Sequence, residues 1–277
     1  MRLRVAAWNV EGRLSNLADG RRGTPAHILE GIAALDADII VLPEAYVNKP
    51  QTGVDRELAS LGYSWQDVRY DDSDRGNVFS GQMPYLRILS RLPITTTHTV
   101  QFGGLRRLLV VTVQDTQSMQ SLRIVATHLD DRTEERRLMQ IDDMISLLSQ
   151  HSMPTLVMGD FNAMWPGGRA ILLRSRLVAS LVRCLPHGFI KSASLRVLEM
   201  ASGTTMKRLK SELNLHDADA RHQATTTPKM RQMVYMPSIR LIQIDHILLT
   251  ATIKSTDFKV ARDGGSDHRA ISTTIIT

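Results

Sequence analysis

The chain has 277 residues, of which 43% are hydrophobic and 22% charged, enough apolar material for a large core and a composition that excludes disordered and collagen-like chains. Its one cysteine, Cys184, permits no intrachain disulfide and no cysteine-built zinc site, which points to a reducing compartment. The net charge is +6, but residues 169–240 hold 13 Lys/Arg against 4 Asp/Glu, a net +9 that leaves the rest at −3 and places any anionic partner near that segment.

Residues 3–10 are short, apolar and broken at Glu11-Gly12, which reads as a buried strand. The run is too short, and Asn9 and Glu11 come too soon, for a signal peptide. No apolar stretch reaches the roughly 18 residues of a membrane-spanning helix, so a cytoplasmic protein is expected. Residues 25–35 carry Ile28, Leu29, Ile32 and Leu35 at helical spacing and lead into a strand over 37–42 that ends on Pro43-Glu44. A short helix over 55–61, a polar loop over 70–81 and strands over 86–89 and 106–114 follow, with turns at Pro93 and Gly103-Gly104. Asp71, Asp72 and Asp74 in that loop lack the glutamate of a calcium loop and read as solvated. Ser90 and Arg91 are expected to serve the meander's structure.

A strand over 122–128 precedes an amphipathic helix over 133–150, with Leu138, Ile141, Met144 and Leu148 on one face and Thr133, Glu134 and Glu135 at its start. The next strand, 154–159, stops at Asp160 and so repeats the order helix, strand, carboxylate. Two basic helices are predicted over 170–185 and 193–213, separated by Pro186-His187-Gly188, with Cys184 buried on the first. Strands over 239–250, 254–261 and 270–276 complete the chain, with a loop over 264–268. No repeat or linker divides it. One domain over 1–277 is expected, with a basic helical insertion at about 169–215.

Buried strands ordinarily end in turn residues, yet these end in Asn9, Glu44, His128, Asp160-Phe161-Asn162 and Asp267-His268. In layered α/β proteins, binding groups collect where strands give way to loops. Carboxylates hold a hard cation, amides orient phosphate and water, and imidazoles move protons or offset charge. The set suits phosphate chemistry in one cleft.

The ordered series Trp8-Asn9, Leu42-Pro43-Glu44, Ile88-Leu89-Ser90-Arg91-Leu92-Pro93-Ile94, Thr127-His128-Leu129-Asp130, Gly159-Asp160-Phe161-Asn162, Ile244-Asp245-His246-Ile247-Leu248 and Ser266-Asp267-His268 resembles the motif set of the endonuclease/exonuclease/phosphatase superfamily. The resemblance implies an α/β (α+β) fold, a deoxyribonuclease I-like four-layered α/β/β/α sandwich with a metal-dependent site at one edge. It implies Glu44 as principal ligand of Mg²⁺ or Mn²⁺, with Asp267 and Asn9 near the metal. Asp160 would position or deprotonate the attacking water, and Asn162 would orient water and phosphate. His268, held by Asp245, would bind the phosphate and offset its charge, while His128 would contact it from the other side and protonate the leaving oxygen. Asn9 would join the phosphate-binding set.

Two departures accompany the resemblance. His246 follows Asp245 where many relatives carry an aromatic residue, and strand alternation puts it on the opposite face. The carboxylate that relatives pair with the His128 position has only weak candidates in Asp130 and Glu57.

The implied function is a metal-dependent phosphoesterase cleaving phosphodiesters, a nuclease acting on DNA or another nucleic acid, with phospholipid or inositol phosphate as the alternative substrate. A non-catalytic binding protein of this fold is disfavoured, because each central polar position is chemically competent. No obligate protein partner is evident. Arg174, Arg176, Arg183, Lys207, Arg208 and Lys210 could form a solvated helix face, a ridge for a nucleic-acid backbone, or a contact with an anionic membrane. Trp165 could stack on a base or sugar at the cleft rim, or close the core.

Overall fold

The computed structural model describes residues 1–12, 14, 25–45, 52–69, 85–102, 106–149, 153–166, 173, 175–186, 188–226, 242–261 and 265–277. The elements run β1 (Arg2–Ala7), α1 (Pro25–Leu35), β2 (Ile39–Leu42), α2 (Thr52–Ser60), β3 (Ser64–Arg69), β4 (Tyr85–Ser90), β5 (Ile94–Phe102), β6 (Arg106–Gln114), β7 (Ser121–His128), α3 (Glu134–Leu148) and β8 (Thr155–Asp160). Then come α4 (Arg176–Cys184), α5 (Phe189–Met200), α6 (Thr204–Leu213), β9 (Leu215–Asp217), β10 (Asp245–Thr250), β11 (Lys254–Val260) and β12 (Ile271–Ile276). They form two six-stranded sheets, ordered β11-β12-β1-β2-β4-β3 and β5-β6-β7-β8-β10-β9.

Strand alternation explains the layers. Val5, Ile39 and Ile88 of the first sheet meet Ile124, Met158 and Ile247 of the second in an inter-sheet core. Their neighbours face outward and are buried as well: Ala6, Ile40 and Leu89 lie under Ile28 and Ile32 of α1 and Leu58 of α2. Val125, Val157 and Leu248 lie under Ile141 and Met144 of α3 and Met206 and Leu209 of α6. Strands covered on both faces must be apolar on both, which is why β2 and β8 read as continuous hydrophobic runs. The result is the α/β/β/α sandwich.

Each sheet contains one parallel pair, β1 with β2 and β7 with β8, joined through segments that contain α1 and α3 respectively. Thr133 caps α3 by accepting from Arg136 N. Buried Arg137 on that helix donates to the Asp130 and Glu199 carbonyls, tying the loop after β7 to the end of α5.

The basic region differs from expectation. The helix foreseen over 193–213 is two, α5 and α6, broken where Gly203 adopts φ 69°. α4 starts from a Ser175 cap that accepts from Val178 N, and Cys184 on it is exposed rather than buried. α6 belongs to the body of the protein, packing on α3 with Met206 and Leu209 in its core. The described part of the strand foreseen over 239–250 starts at Asp245. Asp71, Asp72, Asp74 and Arg174 lie outside the described residues. Arg91 pairs with Asp36 at 2.8 Å, and Ser90 Oγ accepts from Leu92 N, the structural roles foreseen for them.

Candidate active site

Both parallel pairs deliver polar residues to the same edge. Pairing in the first sheet continues past β1 and β2 through Trp8 N to Val41 O (2.9 Å) and Val10 N to Pro43 O (3.1 Å), so Asn9 and Glu44 emerge side by side. Glu44 turns the chain with φ 55°. In the second sheet His128 and Asp160 are register partners, and Asp160 also faces Asp245 across the antiparallel pair. His268 arrives on the loop before β12. Its carbonyl accepts from Trp8 Nε1, and Ser266 Oγ donates to Asn9 O at 2.7 Å.

The side chains interlock across the two sheets. Asn9 Nδ2 donates to Asp160 Oδ2 at 3.0 Å and to Glu44 Oε1 at 3.3 Å. Asp160 Oδ1 accepts from Asn162 N at 2.9 Å. His128 Nε2 lies 3.6 Å from both Glu44 Oε1 and Asp160 Oδ2. His268 Nδ1 binds Asp245 Oδ2 at 2.9 Å, and its Nε2 lies 3.8 Å from Asp160 Oδ2. Asn162, at φ 46°, donates its side-chain N–H to Leu129 O, which commits part of its amide to holding the loop.

The electrostatics follow from this crowding. Burial, and then the charge on Asp267, push the Glu44 carboxyl up to about 7. Burial also raises Asp160 to about 6, against the opposing pull of His268. For His268 burial works against the charged ring, but Asp245 and Asp160 outweigh it and hold it protonated well above its ordinary range.

The donor set fits a divalent cation. Asp160, Asp245 and His268 present ligand atoms within 4.8 Å of one another, a group that could hold a metal ion. With His268 held protonated and bonded to Asp245, neither ring nitrogen offers a lone pair, which leaves the carboxylates of the site as the ligands. Glu44, raised by burial and by the neighbouring Asp267, is the carboxylate whose charge a hard cation would most relieve. Asn9 Oδ1 accepts from Glu11 N at 3.0 Å while its Nδ2 donates to both acids, so its amide orients the two carboxylates.

Several contributors escaped the sequence reading. Thr225 Oγ1 donates to Asp245 Oδ2 at 2.6 Å and fixes the acid that holds His268. Arg106 Nη1 donates to the His128 and Leu129 carbonyls at 3.0 and 2.7 Å, pinning the end of β7. Neither position carries a local motif. His246 does face away from Asp245, but it is not idle. Nδ1 meets Asp217 Oδ2 at 2.7 Å and Nε2 meets the Ala163 carbonyl at 2.9 Å, so the ring holds the loop after Asn162 from behind.

The carboxylates considered as partners of His128 have other surroundings. Asp130 Oδ1 accepts from Arg132 N and Thr133 N, and Glu57 is exposed on α2. Trp165 stacks on His222 with centroids 5.3 Å apart, lies under Lys210 Nζ at 5.6 Å and packs on the core, so it closes the core. Arg208 is bound to Asp142 and Glu212 at 2.6 and 2.7 Å.

An α/β/β/α sandwich whose parallel strands end at Glu44, His128 and Asp160, beside an aspartate-held imidazole brought in by antiparallel strands, is the framework of a phosphoesterase. The chain belongs to the Endonuclease/Exonuclease/phosphatase family, whose profile matches residues 6–268 and whose members hydrolyse phosphoester bonds. No curated protein matches the sequence. Among solved structures it is similar to the human Nocturnin catalytic domain with bound sulfate, at 19% identity and TM-score 0.67, over 99% of this chain and 94% of that one. It is also similar to ANGEL2, a 2′,3′-cyclic phosphatase (17% identity, TM-score 0.66, 99% and 95% covered). A third is a mannosyl-6-phosphatase of Bacteroides thetaiotaomicron (14% identity, TM-score 0.64, 99% and 100% covered). Among the described residues no helix is long and apolar enough to cross a membrane.

Proposed function

We propose that this phosphoesterase is a Mg²⁺- or Mn²⁺-dependent hydrolase of phosphodiester bonds. The observation that carries the reading is the continuous chain Glu44–Asn9–Asp160 beside the Asp245–His268 pair. Glu44 with Asp267 would hold the cation, which supplies charge neutralisation and polarisation at the phosphoryl oxygens. Asp160, raised to about 6, is matched to accept a proton from water near neutral pH, and Asn9 and the Asn162 N–H hold its carboxylate in place. Asp245 fixes Nδ1 of His268, so the protonated ring turns Nε2 toward the cleft, where it offsets charge growing on the phosphate. His128, within 3.6 Å of both acids, is placed to protonate the leaving oxygen.

Nucleic acid is the first substrate reading, supported by the +9 segment over 169–240 and by the likeness to a 2′,3′-cyclic phosphatase. Phospholipid is the second, favoured by the exposed leucines of α4. The test measures hydrolysis of bis(p-nitrophenyl) phosphate, single-stranded DNA and RNA with Mg²⁺, Mn²⁺ or EDTA. Asp160→Ala and His268→Ala are each expected to lower kcat by about a thousandfold or more. Turnover that survives EDTA, or both substitutions, overturns the mechanism.

A further inference from the structure

α4 is exposed along a strongly two-sided arc. None of its side chains is buried, and Leu177 and Leu181 are 70% and 61% exposed. At 100° per residue, Leu177, Leu181 and exposed Cys184 fall on one side of the exposed arc, and exposed Arg176 and Arg183 border them on the other. Val178 and Val182 lie on the half-buried side, and α4 packs on α5. The charge is one-signed well beyond this helix: between Asp160 and Glu199 the sequence holds six Lys/Arg and no acidic residue. The hairpin is also rooted at the catalytic edge. Met164 N, two residues past Asn162, donates to Met200 O at 2.7 Å, where α5 ends.

We infer that the α4–α5 hairpin is an interfacial anchor that docks the protein on an anionic lipid bilayer. The occupant follows from the combination of groups. An anionic bilayer offers phosphates to Arg176 and Arg183 and acyl surface to Leu177 and Leu181 in one layered partner. A nucleic-acid backbone would satisfy the arginines and leave the leucines in water, and α4 presents no aromatic platform on which bases could stack. A second copy docking through the same face would set arginine against arginine. Two of the more distant cations that a polyanion ridge would need are already engaged, Arg208 with Asp142 and Glu212, and Lys210 over Trp165, which leaves Lys207 exposed on α6.

The experiment sediments the purified chain with vesicles of phosphatidylcholine alone and of phosphatidylcholine with phosphatidylserine. Retention is expected on the anionic vesicles only. It should fall about tenfold or more in Leu177→Ser/Leu181→Ser and comparably in Arg176→Glu/Arg183→Glu, with thermal midpoints unchanged. A fluorophore on Cys184, the chain's one cysteine, reads the same event without any substitution, its emission shifting blue as the helix enters the interface. No retention together with no spectral shift overturns the inference. So does retention indifferent to both pairs of substitutions, DNA binding lost with the arginines alone in the absence of vesicle binding, or self-association that the leucine variant abolishes without vesicle binding. Because the readout is binding and not turnover, its failure is separable from failure of the hydrolytic reading.

Discussion

At Glu44 the requirements of the site oppose those of the fold. Burial and Asp267 raise its carboxyl from an ordinary 4.5 to about 7. Between those values the folded chain keeps a proton that the unfolded chain has released, so stability falls as pH rises through this window. The penalty is absent below about pH 4.5 and complete above about pH 7. Glu44→Gln removes the charge and keeps the shape. In EDTA it is expected to exceed the wild type in stability by about 1–3 kcal/mol at pH 8, to match it near pH 4.5, and to lose hydrolysis. Urea midpoints at the two pH values check this, and a variant less stable than wild type at pH 8 refutes it. Glu44 was legible in sequence because it ends an apolar run. Thr225 was not, since its link to Asp245 joins residues 20 apart in sequence through the fold alone.

Among the elements, β8 depends on one backbone position more than on any side chain. Gly159 sits at φ +139°, and a Cβ there would fall 2.0 Å from the Thr127 carbonyl oxygen on β7. Glycine lets the two strands close together just before His128 and Asp160. Gly159→Ala is expected to cost about 3 kcal/mol or more and to lower kcat more than it raises KM, because the strand ends that carry both groups must part. A chemical-denaturation curve with single-turnover kinetics tests it; unchanged stability sinks the argument. The double-covered strands and the repeated helix, strand, carboxylate order were readable because burial on both faces forces unbroken apolar runs. Strands β3, β5 and β9 were not foreseen, and all three lie at sheet edges, where β5 is largely exposed and polar residues are tolerated. The break at Gly203 was missed because apolar residues continue at helical spacing on both sides of it. His246 could be placed on the outer face by alternation, but its partners Asp217 and Ala163 come from separate elements.

Across the whole molecule the site is a seam between sheets. Asn9 and His268, from the first sheet, bond Asp160 and Asp245 of the second, so the inter-sheet core sets the distances on which the chemistry depends. A cation held by Glu44, as proposed above, would carry the same coupling into global stability. A ligand bound only by the folded state at about a hundred times its dissociation constant stabilises by about 3 kcal/mol, and Mg²⁺ or Mn²⁺ should therefore raise the thermal midpoint. Protons compete for Glu44 below about pH 7, so the rise should be larger at pH 8 than at pH 6. In Glu44→Gln it should be lost at both. Differential scanning calorimetry with EDTA and with each cation, at the two pH values, measures the effect. An equal rise at pH 8 and pH 6, or one retained without Glu44, would place the cation elsewhere and return Glu44 to a hydrogen-bonding role beside Asn9.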